Sequence, residues 1–114
     1  MEDKLRVCLI GCGRAGMIHA RNYKNKIDRA RIVAVVDAFA EAAEAAAKEL
    51  NVTKCFTDYH DILNDPGIDA VIVVSPTNLH CGIVVDFANA GKHIFCEKPL
   101  AMTVEECDQM VAVC

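Results

Sequence analysis

Three glycines and one carboxylate carry the first chemical signal in this chain of 114 residues. Gly11, Gly13 and Gly16 stand in the spacing Gly-x-Gly-x-x-Gly, directly after an apolar run, and Asp37 closes the next apolar run. That arrangement suits a diphosphate. The first glycine permits a tight turn, the second lets phosphate oxygens reach bare backbone, and the third lets a helix lie close against a strand. The helix that the turn opens, with Arg14 and Ala15 in the loop before Gly16, would offer unpaired N–H groups and a positive dipole end to the anion. The Arg14 side chain either pairs with the diphosphate or faces water.

Asp37 would then read the sugar. A carboxylate accepts both hydroxyls of an adenosine ribose. It repels a 2′-phosphate by roughly 4 kcal/mol per charge pair at about 4 Å and an effective dielectric of about 20. No Lys or Arg occurs from Ala38 to Ala47 to offset that repulsion. The expected cofactor is therefore NAD rather than NADP. The competing readings are a β–α turn that merely favours glycine, a strand-end acid in solvent, and an S-adenosylmethionine site, against which the third glycine argues. His19, early in the helix, reads as a structural hydrogen-bonding group.

These residues need a scaffold that brings the ends of several strands together. Leu5 to Ile10, Arg31 to Asp37, Ala70 to Val74 and His93 to Cys96 read as buried strands, with Cys55 and Phe56 a short one at most. Helices are expected from the glycine turn to about Lys24, over Ala40 to Leu50, from about Asn78 to Ala90, and over Thr103 to Cys114. A brief helical turn is expected at Asp58 to Leu63. In the Asn78 helix, Leu79, Ile83, Phe87 and Ala90 form the stripe expected to be buried, and Gly91 is a left-handed cap. Thr103 and Glu106 have the spacing of a capping box. Alternating strands and helices predict an α/β fold with a doubly wound parallel sheet. In such sheets, ligands bind at the carboxyl ends of the strands, where the strand order reverses.

A second polar cluster falls at those ends: Ser75-Pro-Thr-Asn-Leu-His80 and Cys96-Glu-Lys-Pro99. Here the chain resembles the Gfo/Idh/MocA family of nicotinamide-dependent sugar and polyol dehydrogenases. The likeness runs through Gly11-Cys-Gly-Arg-Ala-Gly16 with His19, Val35-Val-Asp37, Thr57-Asp-Tyr59 and Asp69-Ala-Val71. It continues through Ser75 to His80, Ala90-Gly-Lys-His93 and Glu97-Lys-Pro-Leu-Ala101. The stretch from Ile94 to Ala101 looks most like the inositol 2-dehydrogenase branch.

The resemblance implies a Rossmann fold over residues 1–114 that binds NAD. It implies that Ser75, Thr77, Asn78 and His80 run along the cofactor and that Glu97 lies near the nicotinamide end. Lys98 is implied beside the nicotinamide ribose and the substrate hydroxyl, as the catalytic group. A lysine in a partly dry pocket has a lowered pKa and can join the proton relay of alcohol oxidation. Without the resemblance, Lys98 reads as a solvated lysine paired with Glu97. The Lys98–Pro99 bond is a candidate for the cis form.

Composition sets the outer limits. Apolar residues make up 54% and charged residues 25%, so a folded core is expected rather than disorder. The net charge of −4 leaves no basic surplus for nucleic acid, and no apolar run is long enough for a bilayer. The 7 cysteines are odd in number and contain no Cys-x-x-Cys pair, which argues against a disulfide framework and a zinc site. A reducing, cytosolic setting is the expectation.

Family enzymes are longer. By that comparison the chain is expected to be part of a two-domain enzyme, truncated before a sixth strand and before the α+β substrate domain whose Asp and His complete the proton relay. It is expected to bind NAD, with little or no turnover by itself. The strand at His93 to Cys96 becomes a sheet edge, which favours homo-oligomers. A non-catalytic module that senses the dinucleotide is the alternative.

Overall fold

The computed structural model describes residues 5–26, 30–75, 77–96 and 103–114. Strands β1 (Leu5–Ile10), β2 (Ala30–Val36), β3 (Lys54–Phe56), β4 (Ala70–Val73) and β5 (His93–Cys96) alternate with helices. These are α1 (Arg14–Lys26), α2 (Ala40–Leu50), α3 (Thr77–Asn89) and α4 (Val104–Val113), with a 3-10 turn at Tyr59–Ile62 between β3 and β4. All strand pairs are parallel, and the order across the sheet is β3-β2-β1-β4-β5. The chain therefore winds outward in one direction from β1 and then in the other from β4. This is the α/β doubly wound fold that the alternation predicts.

Both faces of the sheet are covered, which explains why the strands read as unbroken apolar runs. Along β1, Val7 and Leu9 face a cluster completed by Met17 and Ala20 of α1 and Ala46, Ala47 and Leu50 of α2. Cys8 and Ile10 face the opposite cluster, built with Ile83, Val84 and Phe87 of α3 and Met110 of α4. The small residues Gly16 and Ala20 are both buried, and they bring α1 close to the sheet. Cys8 is fully buried and its thiol pKa is raised, chiefly by burial, so it packs as a small hydrophobe. No disulfide joins any of the seven cysteines.

Local stop signals hold the connections. Gly91 takes φ +80 after α3, and the Lys92 N–H donates to Phe87 O at 3.0 Å. Asn51 ends α2 at φ +57, a left-handed position that asparagine tolerates better than most residues. Thr103 Oγ1 accepts the Glu106 N–H at 3.1 Å at the start of α4. At the opposite end of the sheet from the site, Asp69 clamps Arg6. It accepts the Arg6 Nε–H at 3.0 Å, an Nη2–H at 2.9 Å and the backbone N–H at 2.9 Å.

One expectation about α3 needs correction. Ile83 and Phe87 are buried, but Leu79 is 48% exposed. The first turn of α3 overhangs the end of the sheet, so the 3.6-residue stripe runs out of core before it reaches Leu79.

Candidate functional site

The site forms where the β1–α1 and β4–α3 connections part, because α1 and α3 cover opposite faces of the sheet. Gly11 makes the first turn at φ +100, and its N–H donates to Val36 O at 2.8 Å. A Cβ at Gly11 would sit 2.6 Å from Val74 C, so the turn is wedged against the end of β4. At Gly16 a Cβ would overlap the Gly11 carbonyl oxygen, so glycine is what lets α1 close on the turn. Gly13 differs from both. A Cβ there would meet nothing within 4 Å, and the space above it opens into a cavity of about 710 Å³.

The cavity is lined by Gly11 and Gly13 from the turn, Asp37 and Phe39 beyond β2, Tyr59 beyond β3, and Ser75 and Leu79 around the β4–α3 junction. Asp37 follows β2 directly. Its Oδ2 accepts the Cys12 N–H at 2.8 Å and its Oδ1 accepts the Phe39 N–H at 2.9 Å. Each oxygen keeps a lone pair for a ligand hydroxyl. The Cys12 thiol is buried under the turn and pushed up to about 12, first by burial and then by the Asp37 carboxylate, so it stays protonated and inert.

Ser75 and His80, at the two ends of the Ser75–His80 segment, do different things. The Ser75 Oγ lies buried at the cavity without a hydrogen-bond partner among the described residues. His80 does not line the cavity: its ring is 2% exposed and lies beneath the junction. Its Nε2 is 2.7 Å from Ser75 O, and since a carbonyl only accepts, Nε2 carries the proton and donates. The resemblance implied that His80 runs along the cofactor; the structure places it as a support for Ser75.

Arg14, Ala15, Thr77 and Asn78 are described by their backbone, in the first turns of α1 and α3 at the same end of the sheet. Glu97, Lys98 and the Lys98–Pro99 bond lie outside the described residues. His19 packs edge-on against Phe95 of β5, with ring centroids 5.3 Å apart.

Sequence reasoning did not single out Phe39, Tyr59 and Leu79 as cavity residues. Phe39 is 77% exposed at the N-cap of α2. Tyr59 donates its hydroxyl to Asp86 Oδ2 at 2.5 Å, which ties the 3-10 turn to α3. Its pKa is raised, first by burial and then by that bond. The signal for Tyr59 was its place just past a strand on the binding edge of the sheet.

The donor set fits a dinucleotide. The cavity volume is in the range of small-ligand sites, about 300–1,000 Å³. Bare backbone at Gly13 and the start of α1 meets a diphosphate, Asp37 offers acceptors to ribose hydroxyls, and the buried Ser75 hydroxyl lacks the partner a ligand would supply. Among the described residues no group of three or more His, Cys, Asp or Glu is arranged to hold a metal ion, and no helix is long and apolar enough to cross a membrane.

Comparison with known proteins gives one consistent result. Residues 5–114 match the Gfo/Idh/MocA sequence family, described as an oxidoreductase family with an NAD-binding Rossmann fold. The chain is 42% identical over 106 residues to scyllo-inositol 2-dehydrogenase (NAD(+)) of Bacillus subtilis, covering 93% of this chain and 31% of that protein. Myo-inositol 2-dehydrogenase of Thermotoga maritima is 41% identical over 107 residues, covering 94% of this chain and 32% of that protein. Scyllo-inositol dehydrogenase from Lactobacillus casei, solved with bound NAD(H) and scyllo-inositol, superposes with a TM-score of 0.90 at 35% identity, covering 96% of this chain and 32% of that one. The chain thus spans about a third of the length of the relatives it matches.

Proposed function

Since this chain belongs to the Gfo/Idh/MocA oxidoreductase family and carries its NAD-binding Rossmann fold, we propose that its cavity holds NAD for the oxidation of a secondary alcohol on an inositol-like polyol or a sugar. The reading takes residues 1–114 as the nucleotide-binding domain of a longer two-domain enzyme. NAD, when bound, supplies the acceptor for the hydride that leaves carbon.

The chain's own residues bind and orient. Gly11 shapes the turn, and Gly13 with the backbone of Arg14, Ala15 and Gly16 presents N–H groups to the diphosphate. Asp37 accepts the adenosine ribose hydroxyls and disfavours a 2′-phosphate. Ser75, Thr77 and Asn78 follow the cofactor toward its nicotinamide end, and His80 steadies that segment through Ser75 O. Glu97 and Lys98 belong to the reacting end. Alcohol oxidation must also take a proton from oxygen, and Lys98 is the group assigned to it, on the strength of the Glu97-Lys98-Pro99 motif.

The observation that carries the reading is the open space over Gly13, framed by Asp37 on one side and the partnerless Ser75 hydroxyl on the other. A non-catalytic sensor would share that geometry; Lys98 favours the enzyme. Cytosolic residence agrees with seven cysteines that form no disulfide, and self-association agrees with the edge position of β5. Titration calorimetry with NAD and NADP tests the cofactor assignment. NAD should bind at least about tenfold tighter, a difference of about 1.4 kcal/mol. Equal binding, or tighter NADP, would sink it.

A further inference from the structure

Asp37 makes bonds that ribose recognition does not require. Its two oxygens accept two backbone N–H groups, from Cys12 inside the glycine turn and from Phe39 at the cap of α2. The Gly11 N–H meanwhile goes to Val36 O. Two successive residues of the turn are thus tied to two successive residues at the end of β2, once by a carbonyl and once by a side chain. Nothing lies within 4 Å of the Cβ position of Gly13, and among the described residues the other bond from the turn to β2 is a weak one from the Cys12 thiol to Val36 O at 3.5 Å.

We infer that Asp37 is a positioning residue for the diphosphate turn, in addition to reading the ribose, and that this double duty locks the cofactor preference. A carboxylate gripped on both oxygens cannot rotate aside to admit a 2′-phosphate. Removing it does not open a site for NADP either, because the turn that binds the diphosphate loosens with it. The second half of this inference rests on the NAD reading. The clasp itself belongs to the cofactor-free chain and is measured there.

The test compares wild type, Asp37→Asn and Asp37→Ala by amide hydrogen exchange without cofactor and by calorimetry with NAD and NADP. In Asp37→Ala the Cys12 and Phe39 amides should exchange about tenfold faster, the effect of one net hydrogen bond on a local opening. Val84 and Phe87 amides in α3 should keep wild-type rates. Asp37→Asn keeps one acceptor oxygen, so one of the two amides should stay protected. Both variants remove the charge that repels a 2′-phosphate, yet Asp37→Asn should gain more NADP affinity than Asp37→Ala. Unchanged exchange at Cys12 and Phe39 in both variants would overturn the clasp, as would an NADP gain in Asp37→Ala that matches or exceeds that of Asp37→Asn. If Asp37→Ala also raises exchange at Val84 and Phe87, it has unfolded, and Asp37→Asn decides alone: one fast amide supports the clasp, and none refutes it. A wild-type chain with slow Cys12 exchange and no NAD binding would defeat the cofactor reading and leave the clasp standing.

Discussion

Gly13 and Gly16 lie in the same turn, yet alanine should do opposite things at the two positions. At Gly16 the new Cβ would overlap the Gly11 carbonyl oxygen and sit 3.0 Å from Gly11 C and 3.6 Å from Leu9 Cδ1. The obstacle is backbone, which cannot rotate away, so α1 must lift off β1. Overpacking of this kind costs roughly 1–3 kcal/mol, or a fall in Tm of roughly 5–15 °C in a domain of this size. At Gly13 the Cβ meets nothing within 4 Å, and the backbone φ is not in the left-handed range. Gly13→Ala should therefore leave Tm unchanged or raise it slightly, since alanine reduces the freedom of the unfolded chain by about 0.4–1 kcal/mol. Its methyl group instead stands where a phosphate must approach. Losing one charge-assisted hydrogen bond costs about 1.5–3 kcal/mol, which weakens NAD binding roughly 10- to 100-fold. Thermal melts and calorimetry on the two variants decide the matter. If Gly13→Ala lost as much Tm as Gly16→Ala, or bound NAD as wild type does, the assignment of Gly13 to the ligand would be wrong.

Two further outcomes follow from features away from the turn. Arg6 holds the Asp69 carboxyl down to about 2, first through the side-chain bond and then through its backbone N–H. The folded pKa lies below the unfolded value of about 3.9, so the pair contributes above that pH, and its contribution fades as pH falls toward about 2. Asp69→Asn should remove that part of the acid slope in pH-dependent melts, and at neutral pH it should cost about 1 kcal/mol for so solvent-screened a pair. At the β5 edge, Phe95 is 46% exposed and Ile18 of α1 is 51% exposed. Sedimentation should detect concentration-dependent self-association that Phe95→Lys reduces, because a charge on an edge strand discourages pairing; an unchanged profile would remove β5 as the contact.

What could be read from the chain, and what could not, divides by range. The doubly wound parallel sheet follows from the alternation of strands and helices, and the strand ends from local signals. Glycines end β1, Asp37 follows β2, Ser75 follows β4, and each break falls at the carboxyl end of its strand. The caps at Gly91 and Thr103 were legible because their chemistry is confined to a few neighbouring residues. Leu79 was misplaced because helical periodicity says which residues share a face, not where the sheet beneath them stops. The His80 bond to Ser75 O could not be read from the run Ser75 to His80, because it depends on how the first turn of α3 folds back on the end of β4. The Cys12–Asp37 bond was invisible because it depends on the register of β1 against β2, including the irregularity between Val7 and Cys8. No local pattern encodes that.

The two connections that frame the cavity are in different states of completion. At the first, the Gly11 and Cys12 amides and both Asp37 oxygens have partners within the chain, so much of the ordering cost is met before a ligand arrives. At the second, His80 fixes the Ser75 carbonyl while the Ser75 hydroxyl stays buried without a partner. A buried polar group in that condition costs about 1–3 kcal/mol. Stability and binding should therefore part company at this one atom. Ser75→Ala should raise the Tm of the cofactor-free protein by a few degrees, since it removes a desolvated group and leaves the His80 bond to the backbone intact. The same change should weaken NAD binding about tenfold, the loss of one hydrogen bond. A drop in Tm would mean that the hydroxyl is satisfied in the free protein. Unchanged affinity would mean that the dinucleotide never reaches the end of β4.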